Sequence, residues 1–165
     1  MQVGLGRIYP VVFVAVSLTA VQDLFYIKPA ADKILVFEAM VLSNVGGVAD
    51  AGDAQEELLR FEIIYLPSTV TVGSGGTAPT VKPVGVNDAA AGFTARVNDT
   101  TVATTSGTSE TRHADGINIR IPQPWVPPPE HRLIAQNPGA MVVRLNTAPA
   151  DAVLVSGTLY VREMP

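Results

Sequence analysis

The chain has 165 residues, 47% hydrophobic and only 16% charged, with a formal net charge of −4 and no cysteine. The length predicts one domain, 1–165, long enough to bury roughly 70% of its unfolded surface. The missing cysteines exclude disulfides and thiolate metal sites, and three lysines with eight scattered arginines leave no basic stripe for a nucleic-acid partner.

So small a charged fraction, against the ~25% of ordinary globular domains, predicts that part of the surface is hidden by a partner or by further copies. The competing reading is a compact monomer with a Ser/Thr/Gly-rich surface. The N-terminal segment imitates a secretory signal, with Arg7 before the apolar run 8–16. Its β-branched residues and Pro10 read instead as a strand over 8–18, with 1–9 as a candidate arm. No functional signal peptide is expected. The run is also too short for a membrane helix, which needs about 20 apolar residues, so no membrane partner is expected.

Further strands are predicted at 23–27, 33–43, 58–66, 93–98, 116–121, 131–135, 141–146 and 153–162, separated by turn residues such as Lys28-Pro29-Ala30-Ala31-Asp32 and Asn137-Pro138-Gly139. The second strand of this series is apolar on both sides: Leu35, Phe37, Ala39 and Val41 oppose Ile34, Val36, Met40 and Leu42, with Glu38 the exception. Such a strand is buried on both faces, inside the domain or by a neighbouring subunit, which makes Phe37 and Val41 candidate interface residues. In 58–66, Leu59, Phe61, Ile63 and Tyr65 share one face. In 153–162, Val153, Val155, Leu159 and Val161 share another. Single helical turns are predicted at 53–57 and 87–91, and neither is long enough to organise the fold. Two connections are unusually long. Residues 67–92 contain Gly73-Ser74-Gly75-Gly76 and read as a flexible excursion, while 99–111 is dominated by Thr, Ser and Ala, with 100–105 readable as an extended edge segment. The pattern is that of an all-β antiparallel sandwich.

Catalytic chemistry is thin. His113 with Asp115, and Glu130 with His131, are the only adjacent His–acid combinations, and they read as solvated loop or strand-end residues. Asp50, Asp53, Glu56 and Glu57 lack the alternating oxygen ligands of a calcium loop. No serine elbow is present. Neither an enzyme, a metal nor a cofactor is expected. The run Pro122-Gln123-Pro124-Trp125-Val126-Pro127-Pro128-Pro129 is more distinctive, because it is stiff and carries the only tryptophan. It reads either as an interface anchor made of Trp125, Pro127 and Pro128, or as a linker laying Trp125 over one end of its own sandwich.

Recognisable sequence follows from these segments. Asp88-Ala89-Ala90-Ala91-Gly92-Phe93-Thr94-Ala95, the proline-rich run ending at Glu130, Val142-Val143-Arg144-Leu145, and Ala148-Pro149-Ala150-Asp151 followed by Val155-Ser156-Gly157-Thr158-Leu159-Tyr160-Val161 resemble the head decoration, or cement, proteins of tailed bacteriophages. The resemblance runs from about residue 27 onward, and its motifs are structural. It implies a jelly-roll-like antiparallel β-sandwich, assembly as a homotrimer, binding to the major capsid protein and a place on the virion surface. The alternative is a receptor- or carbohydrate-binding β-sandwich of a phage tail or surface appendage, which would need an exposed aromatic platform.

Overall fold

The computed structural model describes residues 6–46 and 57–165. In chain order its strands are β1 (Arg7–Leu18), β2 (Gln22–Lys28), β3 (Ile34–Asn44), β4 (Leu58–Leu66), β5 (Val70–Thr71), β6 (Thr94–Asp99), β7 (Thr104–Thr105), β8 (Glu110–Asn118), β9 (Gln123–Trp125), β10 (Ile134–Gln136), β11 (Ala140–Leu145) and β12 (Val153–Met164). A single 3-10 turn, Pro129–His131, is the one helical element among the described residues. The all-β expectation is met.

The strands form two sheets and a small ribbon. The first sheet runs β1-β12-β3-β10, with β9 also paired to β3; the second runs β6-β2-β11-β4-β8; β5 and β7 make the ribbon. Four antiparallel pairs carry the architecture: β1 with β12, β2 with β11, β3 with β10, and β4 with β8. First therefore pairs with last, second with second-last, and so on inward. A long antiparallel ribbon wound around itself gives this order, and the result is the jelly-roll sandwich.

Alternation explains which residues enter the core. Along β12, Val153, Val155, Gly157, Leu159, Val161 and Glu163 point inward and the residues between them point out. Inward side chains from both sheets, among them Tyr9, Phe25, Phe37, Phe61, Leu42 and Ile63, fill one main core. Gly157 is required there, since a Cβ would lie 2.5 Å from the Phe13 ring.

Register shifts interrupt four ladders, two of them in the first sheet. In β3 the register against β12 shifts between Tyr160 and Val161, so Glu38 is an extra residue. Leu35 and Phe37 face inward before it, Met40 and Leu42 after it, while Val36, Ala39 and Val41 face out. The expected grouping of Leu35, Phe37, Ala39 and Val41 on one side is therefore corrected: a bulge flips the phase of everything beyond it. In β1 the register shifts between Phe13 and Val16, and Ala15 takes φ 51°.

Other boundaries differ from expectation for local reasons. β8 begins at Glu110, earlier than 116, because it is an edge strand whose first half is largely solvent-exposed and shows no apolar alternation. The 131–135 strand is displaced to Ile134–Gln136 because Pro128 and Pro129 start the 3-10 turn just ahead of it. Residues 87–91 form no helix: Asp88 N–H closes a turn on Gly85 O at 3.0 Å, the Ala89 carbonyl accepts from the Tyr9 hydroxyl at 2.9 Å, and Gly92 N–H donates to Glu163 at 2.7 Å. These outside partners take the groups a helix would use. The predicted turn at 53–57 lies, apart from Glu57, outside the described residues.

The two long connections cover the outer face of the second sheet instead of ranging freely. β5 pairs with β7, Ser74 bridges Thr101, and Thr77 bridges Val97. Beneath them Tyr26, Ile64, Leu66, Ala103, Ala140 and Val142 form a second small core, with Val70 packed on it. The glycines serve close approach: Gly75 has φ 91°, and a Cβ at Gly76 would lie 2.1 Å from Val97 O.

Candidate interaction surface

The expected anchor residues separate into two groups. Trp125 is only 8% exposed and Phe37 is wholly buried, both within the main core. Trp125 pairs through its backbone with Met40, and its ring lies 5.6 Å from that of His113, which lies 6.0 Å from Phe61. The expectation that they are interface residues is corrected, because side chains enclosed by their own fold offer no area to a partner. The stiff proline path instead closes one end of the sandwich, where Gln123 also donates to Asp115 at 3.0 Å. Pro127 is half-buried, while Pro128 and Val41 are exposed.

Val41 belongs to a continuous apolar surface, the outer face of the first sheet. Registered rows cross it: Val12, Thr158, Val41 and Pro124; then Pro10, Tyr160 and Ala39; then Ile8, Arg162, Val36 and Ile134. Val12, Val14, Val41, Ile134 and Tyr160 are all exposed, Val14 to 72% and Ile134 to 53%. β-Branched residues suit a pleated surface, but here they meet water. The contrast with the second sheet is direct, since that sheet's outer face has its own apolar cover. Sequence reading found Val41 but missed Val12, Val14, Tyr160 and Ile134. Their signal was the outward half of each alternating strand, which carries apolar residues where solvent would favour polar ones.

Near one end of this face, the bulged Glu38 bonds Arg162 and pairs with Arg132. The carboxylate is nearly buried and the two guanidinium groups are partly exposed. Two arginines against one carboxylate leave this end of the face with a net positive charge and no exposed acidic group in the cluster.

Two further charged clusters fasten the cover to the second sheet. Asp23, almost wholly buried, accepts from Arg144 at 2.6 and 3.2 Å and from Ala103 N–H at 2.7 Å, while Arg144 donates to Ala103 O at 2.8 Å. Burial pushes the Asp23 carboxyl above its ordinary value, against the opposing pull of those donors. Arg96 grips Asp99 through contacts of 2.6–3.1 Å, and Asp99 accepts from Gly76 N–H at 3.1 Å. A shallow cleft of about 270 Å³ lies beside this cover, between Val16, Gln22, Gly76, Thr77 and Asn98. It is smaller than the ~300–1,000 Å³ of ligand pockets, and no aromatic side chain lines it.

His113 sits in β8 and His131 in the 3-10 turn. His113 Nε2 is buried without a hydrogen-bond partner, 3.9 Å from Asp115. Among the described residues no group of three or more His, Asp or Glu side chains is placed to hold a metal ion, and no helix is long and apolar enough to cross a membrane. No protein-family model, no curated protein and no solved structure matches this chain.

Proposed function

We propose that this protein is a structural component of a phage virion, a decoration or cement protein that assembles as a homotrimer, binds the major capsid protein on the outside of the head and stabilises the shell. The observation that carries the reading is the pairing of a self-covered sheet with a bare apolar one. An apolar sheet face left uncovered, opposite one that the same chain covers, is a surface on which a further chain can pack. The buried or mutually bonded state of the acidic and basic clusters also supports it, because their polar atoms hold loops in place and are not aimed at a ligand. The sequence resemblance to head decoration proteins supplies the partner.

The mechanism is mass action. A protein that binds only the expanded shell stabilises it by RT ln(1 + [L]/Kd) per site, about 2.7 kcal/mol at a hundredfold excess over Kd. The test is co-sedimentation of the purified protein with expanded heads of a tailed phage stripped of their own outer protein, followed by thermal disruption of those heads. Saturable binding with a raised disruption temperature is expected. No binding to any such head, with the protein folded, would overturn the proposal.

A further inference from the structure

Resting on that reading, we infer that the outer face of the first sheet is the contact between copies of this chain, and that the shell is met by other surfaces.

The alternatives for β-mediated association are closed one by one. The free edge of β1 is blunted by Pro10, which lacks a donor, by the bulge at Val14 and Ala15, and by Val84 N–H, which already occupies Ile8 O at 2.9 Å. The β8 edge carries Glu110, Arg112, His113 and Asp115, charges that deter strand addition. The β6 edge is met by Thr77. The outer face of the second sheet is occupied by the β5–β7 ribbon. The far edge of the first sheet is made of β9 and β10, three residues each and β9 carrying Pro124, too short to template another strand. What remains is a face.

Charge and size then select the occupant. Each chain carries −4, so two copies repel across most of their surfaces, and association between them needs a region without exposed carboxylates. The outer face of the first sheet is such a region: its acidic residue, Glu38, is nearly buried between Arg132 and Arg162. Its centre is built from small, flat side chains, Val12, Ala39, Val41 and Thr158, with Tyr160 the one bulky projection. Four strands about 4.8 Å apart and some six residues long at 3.3 Å each give a footprint of roughly 300–400 Å². That is up to half of the about 800 Å² that each partner gives a standard interface, the polar rim supplying the rest. A second copy brings a surface of the same low charge density and needs no additional ligand chemistry.

The test is sedimentation velocity over 1–100 μM, on the natural chain, on Val12→Lys/Val41→Lys, and on Val72→Lys/Val70→Lys, which places the same added charge in the ribbon segment away from this face. The natural chain and Val72→Lys/Val70→Lys are expected to associate. Val12→Lys/Val41→Lys should sediment as a folded monomer, with a dissociation constant raised at least a hundredfold and an unchanged circular-dichroism spectrum. Tyr160→Glu alone supplies a second face variant should that one fail to fold. Association by the face variants equal to that of the natural chain would overturn the inference. So would a natural chain that stays monomeric at 100 μM, and if that monomer bound phage heads and lost binding on Val41→Lys, the face would belong to the shell and the function would stand. Conversely, association lost in the face variants with no head binding by the natural chain would uphold the contact and remove the proposed function.

Discussion

Trp125 is held by backbone pairing to Met40 on one side and by the His113 ring on the other, at the seam between β9 of the first sheet and β8 of the second. Its proline neighbours fix the approach, so the indole reaches the core at small ordering cost. Truncating a buried aromatic removes its transfer free energy and leaves a cavity. Trp125→Ala is therefore expected to lower folding stability by about 3–5 kcal/mol while leaving association per folded chain unchanged. Urea unfolding over a dilution series separates the two effects, because the apparent stability of an oligomer falls with concentration. A loss confined to association, with the dilute chain as stable as before, would return Trp125 to the interface. The sequence left this choice open because a stiff aromatic segment looks the same whether it lies on its own domain or on a neighbour's.

At the scale of elements, legibility followed the regularity of the strand. β12 and β4 were readable because an unbroken two-residue period assigns every side chain to a face; Val153, Val155, Leu159 and Val161 point inward as read. β3 was misphased because Glu38 adds a residue, and its one clue was a carboxylate inside an apolar run. The bulge in β1 left no such clue, since Ala15 is ordinary in sequence and unusual only in its φ of 51°. That conformation costs a non-glycine residue about 1–2 kcal/mol, while a glycine would lose about 0.5–1 kcal/mol through its freer unfolded chain. Ala15→Gly is thus expected to stabilise the protein by about 0.5–1 kcal/mol, read as a raised urea midpoint with the same slope. A lower midpoint would mean that Ala15 contributes contacts beyond its backbone. The cover over the second sheet was misread for another reason. Gly73, Gly75 and Gly76 signal freedom in isolation, and only the opposing strand shows that close approach requires them.

For the whole molecule, pairing partners were the least legible feature, because alternation says which face a residue takes and nothing about which strand lies beside it. The winding joins β1 to β12 and β2 to β11, so the second sheet is completed only when β11 arrives and the first only when β12 does. β12 is also internal, flanked by β1 on one side and β3 on the other. Without it the first sheet splits, Phe13 and Phe37 lose their cross-strand partners Gly157 and Val161, and β1 retains no ladder among the described strands. Such non-local topologies close large loops before any contact repays the entropy, and they fold slowly, over milliseconds to seconds. A chain ending at residue 152 is therefore expected to show no cooperative thermal transition by circular dichroism. Adding a peptide of residues 153–165 in excess should restore one, with a midpoint that rises with peptide concentration as linkage requires. A truncated chain that unfolds cooperatively on its own would show that the second sheet and its cover form an independent unit, and that the first sheet is an addition to it.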